Sequence, residues 1–304
     1  MARLVSRLLS VGRGFGAVAA LAGALTALTA LIVLAAPPKP QTFHFEILGD
    51  RTGEAQPGVY EEAWREAAAD KPAFVVTVGD TIQGGDDQAA RAEWDAVEQI
   101  LKPWRRIPLY LTPGNHDIWS AESEALFREY AHHPPHYSFD YEDAHFTILD
   151  NSRTDQFSAE ELEFLEKDLK AHAAQPVKFV VSHRPSWILD AFLGNPGFAI
   201  QQLAKKYGVH FVIAGHLHEM LHTDLEGVEY MSMASSGGHL RASRKYEDGW
   251  FFEHTRVDVN GGAVHFEIHE LRPPYGQGRV SELRDWGVAG LSTKPRTTAA
   301  AGAR

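Results

Sequence analysis

Short apolar runs alternate with longer amphipathic stretches along most of this chain. Phe43–Leu48, Phe74–Val78, Leu109–Thr112, Phe146–Leu149, Phe179–Val181 and Phe211–Ala214 are rich in Val, Ile and Phe and read as strands. Between them lie helical patterns. Gln88–Leu101 brings Trp94, Val97 and Leu101 to one face, and Ala159–His172 follows Ser158 with Glu161 three positions on, a predicted capping box. Strand and helix in alternation predict an α/β sheet with parallel central strands. After Gly215 the pattern changes to strands joined by short turns, Leu221–Asp224, Val228–Met233, Gly249–Val257 and Ala263–His269, which predicts a second, more antiparallel sheet. One domain over residues 41–278 accounts for these elements, and no internal repeat is visible. From 279 to 304 the chain is Ser, Thr, Ala and Gly with scattered charge, and a disordered tail is expected.

The first 40 residues follow a different rule. Arg3, Arg7 and Arg13 precede an apolar stretch from Phe15 to Ala36, and no polar face recurs at helical spacing. This is the pattern of a signal peptide or a signal-anchor transmembrane helix. Val33-Leu34-Ala35 offers small residues for cleavage, while the length of the run suits retention as a hydrophobic helix. With the arginines inside, the remainder would lie outside the cytoplasm, membrane-anchored or secreted to the periplasm or beyond.

Composition then narrows the chemistry. Of 304 residues 44% are hydrophobic and 23% charged, as in a packed domain, and the net charge of -11 argues against nucleic acid as a partner. Cysteine is absent, which excludes disulfides, thiol nucleophiles and thiolate metal sites.

Polar residues cluster where the predicted strands stop. The runs end in Gly49-Asp50, Gly79-Asp80, Gly114-Asn115-His116-Asp117, Ser182-His183 and Gly215-His216-Leu217-His218. Carboxyl ends of neighbouring parallel strands converge on one crevice, so these ends are expected to meet. Asp50, Asp80, Asn115, His183, His216 and His218 make an oxygen and nitrogen donor set without sulfur. Such a set suits Mn, Fe, Zn or Co better than Ca, and its size suits two divalent metal ions.

On "VGD" at 78–80, "GNHD" at 114–117 and "GHLH" at 215–218, the chain resembles the calcineurin-like metallophosphoesterases from about Phe43 to His218. The resemblance implies a four-layer αββα sandwich, two mixed sheets flanked by helices, with a dinuclear metal centre. It implies that Asp80 bridges the metals, that Asn115, His183 and His216 complete one site, and that Asp50 and His218 belong to the other. His116 would be a general acid held by Asp117, and Arg51 and Arg184 are candidates for the substrate phosphate or for solvent salt bridges. Trp119, Trp187 and Tyr275 are candidate rim aromatics. One departure stands out. The family's Asp-x-His is here Asp50-Arg51-Thr52, so one imidazole ligand is missing: either the first site is weak and fills only with excess metal, or another residue such as His239 or Asp86 supplies the ligand, or dinuclear chemistry is lost. The expected activity is hydrolysis of phosphate mono- or diesters by metal-activated hydroxide. The alternative is an exported metal- or ligand-binding module without turnover.

Overall fold

The computed structural model describes residues 42–240 and 243–287. The expected signal or anchor segment, residues 1–40, lies outside them. No helix among the described residues is long and apolar enough to cross a membrane.

Two six-stranded mixed sheets form the centre. In the first, β1 (Thr42–Leu48), β2 (Val75–Thr77) and β3 (Leu109–Tyr110) run parallel. The late strands β10 (Glu253–Asn260), β11 (Ala263–Glu270) and β12 (Val280–Ser281) extend it antiparallel beyond β1. The second takes the order β4-β5-β6-β7-β9-β8. Its parallel strands are β5 (Ala144–Ile148), β6 (Val177–Val181), β7 (Phe211–Ala214) and β9 (Val228–Ser232), and its antiparallel edges are β4 (Tyr137–Tyr141) and β8 (Leu221–Leu225). The strands after Gly215 therefore do not build an antiparallel sheet of their own. They are shared between two mixed sheets, because each parallel core needs further strands to cover its flanks.

Period-two alternation decides how the sheets meet. Phe45, Ile47 and Val76 of the first sheet interleave with Phe146, Phe179, Val181 and Ile213 of the second, all buried. Phe45 meets Phe146 and Phe179 edge to face, with centroids 5.1 and 5.5 Å apart. On the outer face of the first sheet, α1 (Val59–Ala69) seats Tyr60, Ala63, Trp64 and Ala67 against Leu48 and Val75. Outside the second, α4 (Ala159–Ala171) and α5 (Ala199–Tyr207) seat Leu165, Leu169, Ile200 and Ala204 against Val180, Val212 and Ala214. Helices α2 (Asp87–Leu101) and α3 (Ala121–Ala131) pack through Trp94 and Phe127.

Two local expectations need correction. Ser158 Oγ does accept the Glu161 amide at 3.2 Å, but the Glu161 carboxylate turns to His136 Nδ1 at 2.6 Å and the Asp150 amide at 2.9 Å, so the box is half made. Order also continues past residue 278. After β12, Trp286 is 6% exposed against Phe251 and Tyr246 and donates to Ser281 Oγ at 2.7 Å. The pairing of β12 with β11 and the burial of Trp286 hold that stretch, and average composition conceals both.

Candidate metal centre

The five polar strand ends do meet, but across both sheets. Asp50, Asp80 and Asn115 follow β1, β2 and β3 of the first sheet, whereas His183, His216 and His218 follow β6 and β7 of the second. Backbone bonds knit the loops together, Asp50 N to Gly79 O at 3.0 Å and Gly215 N to His183 O at 2.9 Å. Asp50, Asp80, His216 and His218 all take left-handed φ, between 49° and 74°, a strained conformation of the kind that clusters at ligand sites. Gly114 is required by packing, since a Cβ there would stand 2.2 Å from the Asp80 amide nitrogen.

Two donor groups result. His183 Nε2 lies 3.2 Å from Asp80 Oδ1, 3.0 Å from Asn115 Oδ1 and 3.1 Å from His216 Nδ1. His218 Nε2 lies 3.5 Å from Asp50 Oδ1. Asp80, His183 and His216 form one trio of donors within 4.8 Å of one another, Asp50, Asp80 and His218 another, and Asp80 belongs to both. The buried Asp80 Oδ2 has no hydrogen-bond partner. A fully buried carboxylate oxygen left so is costly unless a cation takes it, and the mixed donor set fits a divalent transition metal. The imidazoles are oriented from behind: His183 Nδ1 bonds Val78 O at 2.8 Å and His218 Nδ1 bonds His239 O at 2.6 Å, which presents both Nε2 atoms to the centre.

The charges agree with this arrangement. Burial alone would lower the His183 pKa, but the Asp80 and Asp50 carboxylates outweigh it and raise the group to about 9. Burial would raise Asp80, yet the His183 imidazolium beside it holds its carboxyl far below the usual range. The proton on His183 is the positive charge that a metal would displace.

Asp117 does not hold the His116 ring. Buried beneath the loops, it accepts the amides of Thr81 at 2.8 Å, Ile82 at 3.2 Å and Gly114 at 2.9 Å, and so clamps the Asp80 loop to the Asn115 loop. Burial, then repulsion from Asp80, raises its pKa to about 6. The His116 ring is held through Nδ1 by the carbonyl of Gln83, and its amide donates to Asp80 Oδ1 at 2.9 Å. The family resemblance implies that pairing, but here the two side chains take different partners, Asp117 the backbone amides and His116 the Gln83 carbonyl.

Gln83 also answers for the missing imidazole. Buried Thr52 donates to Gln83 Oε1 at 2.6 Å, so the hydroxyl at the position of the missing imidazole is committed to that amide. Neither proposed substitute takes the ligand's place: Asp86 caps α2 through the Gln88 amide at 2.9 Å, and the largely exposed His239 side chain leans toward Glu54 at 3.9 Å. Arg51 donates to Thr81 O at 3.1 Å and lies over the Tyr60 ring. Arg184 pairs with the exposed Asp155 at 2.6 Å. Of the candidate rim aromatics, Trp187 is fully buried against Tyr230, Tyr275 packs in the cluster beneath α1, and Trp119 is half-buried beside Gly84. Asn151 was missed, although it also follows a strand end. Its Oδ1 accepts the amides of His183 at 3.2 Å and Arg184 at 3.0 Å, fixing the His183 loop.

Comparison with known proteins agrees with the geometry. Residues 44–220 match the model of the family described as calcineurin-like phosphoesterase. The chain is 29% identical over 202 residues to the 3',5'-cyclic adenosine monophosphate phosphodiesterase CpdA of Escherichia coli strain K12, a match covering 64% of this chain and 70% of that one. Among solved structures, the purple acid phosphatase PPD1 from yellow lupin (Lupinus luteus) seeds superposes with a TM-score of 0.63 at 17% identity over 81% of this chain. This chain spans 54% of that phosphatase's length. PhoD superposes with a TM-score of 0.58 at 14% identity, over 79% of this chain and 68% of that one. At these identities the two structures show a shared fold.

Proposed function

Because this chain belongs to the calcineurin-like phosphoesterase family, we propose that it hydrolyses phosphodiesters, with Asp50, Asp80, Asn115, His183, His216 and His218 holding two divalent metal ions. The observation that carries this reading is Asp80, shared by two donor trios and left with one buried oxygen unpartnered. Two such ions would acidify water and neutralise phosphate charge. The protein's own side chains supply the rest. As water attacks phosphorus and the P–O bond to the leaving group breaks, His116 protonates the departing oxygen from Nε2, because Nδ1 is committed to the Gln83 carbonyl. Arg51, fixed at Thr81 O, offers its remaining N–H groups to the phosphate. Arg184 is spent on Asp155 and is not assigned that role.

The diester preference is drawn from the CpdA likeness, and a placement outside the cytoplasm from the arginines and apolar run of the N-terminus. A reporter fusion that functions only after export reads the second. For the first, bis(p-nitrophenyl) phosphate, p-nitrophenyl phosphate and 3',5'-cyclic AMP are to be compared with added Mn, Zn or Co. Faster turnover of the monoester would overturn the diester assignment, and no turnover with two metals bound would favour a binding module. Asp80→Asn is expected to abolish hydrolysis and to lower metal content at both sites; unchanged content would remove Asp80 from the bridging position.

A further inference from the structure

A second cluster of ligand-competent side chains lies on the outer face of the second sheet, at the end of β5 remote from the strand-end loops. Ala144, Phe146 and Ile148 face the core between the sheets, so His145 and Thr147 face α4. His145 is fully buried, with Nδ1 2.7 Å from Asp140 Oδ1 on β4 and Nε2 2.8 Å from Asp168 Oδ2 on α4. One turn on, His172 bonds the Asp168 carbonyl through Nδ1 at 2.9 Å, with Nδ1 also 3.2 Å from Asp168 Oδ1, and turns Nε2 toward Asp140 Oδ2 at 4.0 Å. One donor atom from each of Asp140, His145 and His172 lies within 4.8 Å of the others.

We propose that Asp140, His145 and His172 bind a third divalent transition-metal ion of the zinc type, tying the edge hairpin β4–β5 to the end of α4. A His ligand is ordinarily oriented by an acceptor on its other ring nitrogen, commonly a carboxylate or a backbone carbonyl. Both acceptors are already in place here and both come from Asp168. The Asp168 carboxylate is itself held, by Thr147 Oγ1 at 2.7 Å on one oxygen and Ser138 Oγ at 2.7 Å on the other. Those bonds fix the faces of the two imidazoles that point away from Asp140. Two imidazoles and one carboxylate suit Zn, Co or Ni, and the partly exposed Asp140 and His172 admit the ion and leave room for water in the remaining position. Tetrahedral ligation at about 2 Å puts donor atoms roughly 3.3 Å apart. The 2.7 Å contact has to open and the 4.0 Å contact to close by similar amounts, with the rings splaying from their present 16° stacking at 3.9 Å.

The test uses the whole chain, stripped with EDTA and dialysed against Zn2+, and also in the Asp80→Asn background, where the strand-end centre is weakened. The proposal expects one Zn2+ per chain to persist in Asp80→Asn and to raise the thermal midpoint by roughly 5 °C at a hundredfold excess over its dissociation constant. Adding His172→Gln or Asp140→Asn should remove that equivalent and that shift. Neither substitution alone should change hydrolysis measured with saturating Mn. Equal zinc content with and without these substitutions would place any bound zinc elsewhere among the histidines and overturn the proposal. So would a zinc-independent midpoint in Asp80→Asn, which would leave only a proton between the carboxylates.

Discussion

At the residue scale, two neighbours in sequence separate by role. Asp117 clamps loops, whereas His116 on the proposed reading transfers a proton, and their variants should differ accordingly. His116→Asn should slow turnover most for substrates with poor leaving groups and leave metal content intact. Asp117→Asn loses a charged acceptor of three amides, at a cost on the order of 3 kcal/mol. It should lower stability and metal content together, with an unchanged dependence on leaving group. Turnover against leaving-group pKa, with metal analysis on the same samples, separates the two; a matching leaving-group slope in both would merge the roles. Thr52 gives a second case. Because Gln83 occupies the space beside it, Thr52→His alone should disturb the loop and raise the metal concentration needed for activity. Thr52→His with Gln83→Ala should lower that concentration below wild type, by about tenfold if the added imidazole contributes about 1.4 kcal/mol. Metal titrations of the single and double variants decide it, and no improvement in the double would show that position 52 does not face the centre.

At the element scale, β10 carries a charge the core does not welcome. Glu253 is buried between the end of the first sheet and the Ser235–Ser236 loop, where Thr255 Oγ1 donates to its carboxylate at 2.8 Å. Burial, with Glu46 and Asp50 nearby, pushes its pKa well above the ordinary value, beyond what the Thr255 bond can offset. The folded protein therefore holds this proton more tightly than the unfolded chain. Stability from this group is fully present below the unfolded pKa, about 4.3, and declines as pH rises toward the folded one. Glu253→Gln should remove that decline. In EDTA, denaturant midpoints of variant and wild type should lie close at pH 5 and diverge in favour of the variant at pH 8. An equal difference at both values would contradict a proton held by Glu253.

At the scale of the whole molecule, the C-terminal stretch belongs to the fold. β12 extends the first sheet beyond β11, and Trp286 closes over Phe251. Truncation after residue 278 would expose that surface, about 2 to 3 kcal/mol of apolar burial. For a domain of this size the thermal midpoint should fall by roughly 5–10 °C. An unchanged midpoint would make the stretch dispensable. The interleaved sheets should be far less tolerant: Phe146→Ala, between Phe45 and Phe179, is expected to cost about 3–5 kcal/mol.

The sequence by itself determined the parallel strands, the polar residue at each strand end, and the metal-competent character of the set. Each is a local property, set by period-two hydrophobicity, by glycine at a turn and by the chemistry of side chains. Tertiary structure alone decided which sheet received each late strand, because β8–β9 and β10–β11 both read as hairpins and the edge that each joins is a long-range choice. It also decided that the centre draws three residues from each sheet, that Asp117 faces backbone amides instead of the neighbouring ring, and that Gln83 stands against Thr52. These are contacts between residues about 30 or more positions apart, or between neighbours whose directions depend on φ. No pattern along the chain encodes such distances. They follow from packing two twisted sheets face to face, which brings loops together that sequence spacing keeps apart.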